Sequence, residues 1–388
     1  MTHYNFPNGF FLKIFILIAS VLAFTSFEVQ DGNKLYLLTI NFLIISLVGF
    51  VIYFGGGSRF NIYYNDLLML ILFIVLATSM SSISNTVSFS SLLLLVSAMV
   101  IGLQYSFLIK DCRVLVVWVI RVIIILNVIL LLYQLISFFL FGIITDIHSV
   151  LFPFSEGKQN LIKALGIPRL TGAYNEPGSY GTWISLLILT LIVLERKLSI
   201  TAIAGLVSLP LTFSVSSIIY FGLILGAILA KNLIVNFDVK KVILLLFFAV
   251  ALVFLLINFG VIEYLEWRFF NDSVTDSTTD LKFEAINFLI NSDSLRFFMG
   301  SGFMVNDCHS CLSIQDVGLA FNLFFQFGFF SILFLVVIFV ICKPLNLFAG
   351  VMLIVLLLSK VYIFNPILWF CILLISATNK LGVDELSS

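Results

Sequence analysis

The chain is a succession of apolar runs, each about 15 to 28 residues long, parted by short polar turns. No other feature narrows the fold so far. Roughly 20 helical residues cross a hydrocarbon core about 30 Å thick. Lipid offers no partner to a backbone N–H or C=O, so segments of this length must close their hydrogen bonds internally as helices. Hydrophobic residues make up 61% of the chain and charged ones 10%, which excludes a water-soluble fold with a polar exterior. Strict alternation, the mark of a membrane β-barrel, is absent. The expected fold class is α, a polytopic transmembrane helical bundle forming one integral membrane domain over residues 1–388.

The runs predict spans near 10–27, 35–54, 67–80, 90–109, 114–141, 179–194, 198–212, 213–230, 242–261, 317–342, 346–360 and 363–377. Two pairs, 198–212 with 213–230 and 346–360 with 363–377, contain spans short for a bilayer, so the expected count is about 12 with a lower bound near 10. The run from Phe10 to Phe27 is long for a signal-peptide core and lacks a small-x-small cleavage site, and it is read as a span.

Orientation follows from lysine and arginine in the short connections. With the amino terminus inside, inner turns hold Arg59, Lys110, Arg113, Arg196, Lys197, Lys231, Lys240, Lys241, Lys343 and Lys380, whereas short outer turns hold only Lys34 and Lys360. Both termini are therefore expected in the cytoplasm, and two long loops, 142–178 and 262–316, on the outer face. Long loops in compact proteins tend to be functional or disordered.

Formal charge is zero and no basic cluster interleaves with aromatics, so nucleic acid is not an expected partner; the lipid bilayer is. No matching pair of broken helices in two halves is visible, which counts against a carrier. Three polar residues fall inside one span. Arg121 lies near its inner end, within snorkelling reach. Asn127 and Gln134, seven residues apart, share a face expected to turn into the bundle.

One stretch departs from its surroundings: RLTGAYNEPGSYG, residues 169–181. Gly172 permits a tight turn, and Pro177 suits a first helical turn, with Glu176 beside the positive end of the helix dipole. That leaves Arg169 unaccounted for at an outer membrane face. The stretch resembles a segment of the O-antigen polymerase and ligase superfamily, the bacterial Wzy-type polysaccharide polymerases and their ligase relatives, in which R-x-x-G followed closely by E-P precedes a transmembrane helix. Arg169, Gly172, Glu176 and Pro177 stand in those places. The following LTFSVSSIIYFGLIL looks like the serine-bearing helix of that family. In the second outer loop, Arg268, Ser277, Lys282, Gly300, Gly302, Asp316, Gly318 and Gly328 match its further pattern, with Lys282 where arginine is more usual. The likeness covers about 115–342. Within that loop Ser277 and Asp280 are spaced as a capping box, and Leu281, Ala285, Phe288 and Leu289 recur at helical spacing, so an interfacial amphipathic helix is expected there.

The resemblance implies a membrane glycosyltransferase that polymerises undecaprenyl-diphosphate-linked oligosaccharide units into O-antigen, capsular or exopolysaccharide on the outer face of the bacterial inner membrane, alongside a flippase and a chain-length regulator. Such a reaction needs cations for a departing diphosphate, and guanidinium forks suit phosphate oxygens. Arg169 and Arg268 are the first candidates, Lys282 and Arg296 the next. It also needs a base for an acceptor hydroxyl. Glu176 is the first candidate, although a nearby arginine and a helix amino terminus would both lower its pKa; His309 and Asp316 compete. In HSCLSIQDVGL, Leu312 lies one place early for the ligase pattern, which favours polymerase over ligase. A lipid-linked oligosaccharide flippase is the alternative from another class. Cys308 and Cys311 form a C-x-x-C on the outer side, bridged or free. With His309 they lack a fourth metal ligand, and neither a metal nor a cofactor is expected.

Overall fold

The computed structural model describes residues 89–151, 168–235, 318–342 and 346–380, with short pieces at 70–75 and 293–301 and a few isolated positions. Among these the structure is all-helical, as the apolar runs require. The spans expected at 10–27, 35–54 and 242–261, residues 152–167 of the first outer loop, and most of the second with its expected amphipathic helix lie outside the described residues, apart from a few single positions and the piece 293–301. Three described helices are long and apolar enough to cross a membrane: Arg113–Phe141, Pro177–Glu195 and Leu319–Phe339.

In chain order the helices are α1 Phe89–Phe141, α2 Ile147–Leu151, α3 Pro177–Glu195, α4 Ile200–Ser208 and α5 Val215–Val235. There follow α6 Ser294–Met299, α7 Leu319–Phe327, α8 Ser331–Cys342, α9 Leu347–Leu358 and α10 Pro366–Lys380. The inner turn expected at Lys110 and Arg113 is instead helical backbone within the 53 residues of α1. Charge alone suggested that turn, and the segment QYSFLIKDCR contains neither glycine nor proline to break a helix.

Both doubtful pairs are pairs of separate helices. After α4, Pro210 cannot donate an N–H to the helical ladder; a single 3-10 turn, Pro210–Thr212, ends on Phe213 in the left-handed region at φ 53°. Between α9 and α10 the chain turns through Ser359 to Asn365 and re-enters a helix at Pro366. The expected span 317–342 is itself interrupted, because Gly328 (φ 57°) opens a 3-10 turn, Gly328–Phe330, between α7 and α8.

Two compact units divide the chain, and the division falls inside α1. One unit takes α1 as far as Ile120, then α6 to α8, and α10. Gly102 explains the close approach of α1 to α10: a Cβ there would stand 2.6 Å from Trp369 Cβ and 2.8 Å from the Phe370 nitrogen. Phe73 inserts its ring between Phe334 and Trp369, at centroid distances of 4.4 and 4.7 Å. The indole N–H of Trp369 donates to the Ile363 carbonyl at 2.7 Å, so this buried ring is satisfied at both its apolar and its polar end.

The other unit takes α1 from Arg121, then α2 to α5, and Asn346 with α9 as far as Val355. At its centre is α3, in which every residue from Pro177 to Leu194 except Ser179 is buried. A helix apolar on all sides belongs in a core. Gly205 lets α4 approach both α1 and α3, since a Cβ there would meet Ile124 at 2.9 Å and Ile188 at 3.1 Å.

Candidate functional site

The segment 168–176 is irregular backbone packed into this second unit, with Leu170, Thr171, Gly172, Tyr174 and Asn175 buried. Buried backbone outside a helix or sheet needs other partners. Two carboxamides on α1 supply them. The Gln134 Oε1 accepts the N–H groups of Thr171 and Gly172, both at 3.0 Å, while its Nε2 donates to the Thr145 carbonyl at 3.1 Å. The Asn127 Oδ1 accepts the Ala173 N–H at 3.2 Å. On the other side, Nδ1 of fully buried His148, in α2, lies 2.9 Å from the Ala173 carbonyl and donates to it. Within the segment the Tyr174 N–H closes a turn on the Thr171 carbonyl at 3.0 Å. Gly172 occupies the left-handed region at φ 57°, and a Cβ would stand 3.0 Å from the Tyr180 ring and 3.1 Å from the Asn127 carbonyl.

These bonds set the depth of the segment. Asn127 precedes the end of α1 at Phe141 by 14 residues, about 21 Å along the axis. Further back along α1, Arg121 forms an ion pair with half-buried Glu195, the last residue of α3. Hence α1 and α3 run antiparallel, and residues 171–173 descend beside α1 from Gln134 to Asn127 before α3 begins. Non-helical backbone at membrane depth is tolerated only where protein buries it or it lines a cavity.

The first turns of α3 and α5 lie together where this segment ends. Ser217 donates its hydroxyl to the Pro177 carbonyl at 3.2 Å, and Gly181 faces it so closely that a Cβ would be 2.9 Å from the Ser217 Cβ and 3.0 Å from its Cα. The amino-terminal, positive ends of two helix dipoles therefore lie side by side. Ser214 and Ser216, with hydroxyls 3.0 Å apart, lie at the mouth of α5. One turn below, the Tyr180 hydroxyl is 2.7 Å from Ser208 Oγ on α4. The ring of Tyr174 stacks on Trp183 at 6.4 Å and meets Tyr180 edge-on at 5.9 Å. Burial, with Tyr180 adding to it, pushes the Tyr174 phenol above its ordinary range, so it stays neutral and is no general base near pH 7.

The residues singled out in the sequence separate as follows. Arg169 and Glu176, both half-buried, stand near the two ends of this segment. Glu176 is the N-cap of α3 with extended backbone (φ −130°, ψ 150°), yet its carboxylate makes no capping hydrogen bond. Arg296 belongs to α6, in the other unit. Arg268, Lys282, His309 and Asp316 lie outside the described residues, as do Cys308 and Cys311. Asn127 and Gln134 do share a buried face, with a role beyond filling the interior. His148 drew no attention in the sequence, where a lone histidine in a loop carries no spacing signal. Glu195 was masked in the sequence by the basic Arg196 and Lys197 beside it. Among the described residues no group of three or more His, Cys, Asp or Glu is placed to hold a metal ion. No family model, curated protein or solved structure matches the chain.

Proposed function

We propose that the protein is a Wzy-type polysaccharide polymerase of the bacterial inner membrane, a bundle of about 12 spans with both termini in the cytoplasm. It joins undecaprenyl-diphosphate-linked repeat units on the outer face. The acceptor sugar hydroxyl attacks the anomeric carbon of the donor; the bond from that carbon to the diphosphate oxygen breaks, the hydroxyl proton passes to a base, and the polyprenyl diphosphate departs. The single observation carrying this reading is that the R-x-x-G…E-P segment is irregular backbone held inside the helical unit where α3 and α5 both begin. Arg169 and the two helix amino termini would stabilise the negative charge developing on the leaving group, with Arg268 and Lys282 in support. Glu176 is the first choice of base, and His309 and Asp316 are the others. No metal or cofactor enters the scheme.

A second reading has one observation in its favour. Breaks at Pro210–Thr212 and Gly328–Phe330 interrupt apolar helices, and discontinuous helices are also how carriers build substrate sites. A deletion strain decides between them. Loss of polymer with single repeat units still reaching the surface supports the polymerase, whereas absence of any exported unit supports a flippase. Complementation with Arg169→Ala or Glu176→Ala, present in the membrane at normal level, is expected to leave the product ladder at one unit. Full-length polymer from both variants would refute the assignment.

A further inference from the structure

Three side-chain oxygens in the unit that does not contain Arg169 are enclosed without a hydrogen-bond partner. Asn322 and Ser301 are each only 4% exposed. The Asn322 Oδ1, the Gln326 Oε1 and the Ser301 Oγ are enclosed and accept no hydrogen bond. Asn322 and Gln326 are one turn apart on α7, hence on one face. The Ser301 N–H donates to the Phe325 carbonyl at 2.9 Å, which fixes Ser301 against the same turn. The approach is close because Gly300, at φ 80°, has no Cβ; one would stand 2.5 Å from the Phe327 nitrogen.

Buried polar atoms in native proteins are nearly always satisfied, and each exception calls for an occupant or a function. Here three fall within one helical turn. A carboxamide offers one oxygen acceptor and two N–H donors, and a hydroxyl offers both roles. The unpaired atoms are two amide oxygens and one hydroxyl oxygen, so the group matching them donates hydrogen bonds, as vicinal sugar hydroxyls do. We propose that Ser301, Asn322 and Gln326 form an uncharged subsite for the hydroxyls of a neutral sugar. This rests on the reading of the protein as a glycan-handling enzyme, and it adds a neutral sugar-recognition element to the anion-binding one.

The test uses the full-length protein in lipid nanodiscs and follows amide hydrogen exchange. Free neutral hexoses and N-acetylhexosamines at millimolar concentration form one arm and inorganic pyrophosphate another. A sugar at ten times its Kd is expected to slow exchange in residues 297–301 and 319–327 about tenfold. Asn322→Leu with Gln326→Met, which keeps side-chain bulk, should abolish that protection. Protection of residues 169–176 by pyrophosphate should persist in the same variant, showing that it folds. If pyrophosphate protects its segment but no sugar protects α7, the subsite is overturned and the polymerase reading stands. If sugars protect α7 but pyrophosphate has no effect, the subsite stands and the diphosphate role of the loop falls. Protection of α7 by sodium chloride but not choline chloride, without sugar, would overturn the proposal in favour of a cation site.

Discussion

Replacing Gln134 with methionine keeps the shape of the side chain and removes every hydrogen bond it makes to the buried loop. The N–H groups of Thr171 and Gly172 lose their acceptor, and the Thr145 carbonyl loses a donor. An orphaned buried polar group costs about 1–3 kcal/mol in soluble proteins, whereas side-chain hydrogen bonds inside membranes average about 0.6 and reach about 1.7 kcal/mol. Two bonds on the membrane scale give about 1–3 kcal/mol for release of the loop. At about 1.4 kcal/mol per tenfold, exchange of the amides of residues 171–173 should quicken roughly 5- to 150-fold, with α3 itself unaffected. Hydrogen exchange of the protein in nanodiscs measures this directly. Asn127→Leu, which frees only the Ala173 N–H, should produce the smaller change. Unaltered exchange at residues 171–173 in Gln134→Met would show that the loop is not held as described, and the depth argued for it would go too.

Arg121→Ala strands Glu195, which is 7% exposed, and should lower stability by about 1–3 kcal/mol in a thermal melt in detergent; Glu195→Gln should cost less, because Arg121 is partly exposed and can reach the interface. A charge-swapped double variant that recovers no stability would argue against the pair. Gly181→Ala drives a methyl group into Ser217 and should displace the first turn of α3 from that of α5, abolishing polymer while leaving protein in the membrane; adding Ser217→Ala should rescue only partly, since the Cα remains 3.0 Å away. Trp369→Phe removes the N–H donated to Ile363 and should cost about 1 kcal/mol in the same melt, with the product ladder retained.

Helical class was readable from the apolar runs because bilayer thickness and backbone satisfaction leave so few alternatives. The break after α4 was readable from Pro210, yet the continuity of α1 through residues 105–112 was not, because a cluster of charges marks where a chain may meet water and does not stop a helix. Likewise the thirteen-residue motif announced itself by composition, and its place in the interior did not. That placement depends on Asn127 and Gln134, more than thirty residues away in sequence, and on His148, whose burial follows from the turn made after Phe141. Sequence spacing within a helix reveals that two amides share a face; it is silent about what that face will hold.

The turn at Thr171 to Ala173 owes its shape to acceptors borrowed from another helix, with no ladder of its own. It is consequently not a portable cassette. Transplanting residues 168–176 into a related scaffold would reproduce the letters but not the conformation unless the recipient also offered amides at the positions of Asn127 and Gln134. Conversely, substitutions at those two remote positions could remould the loop without altering a single residue inside it.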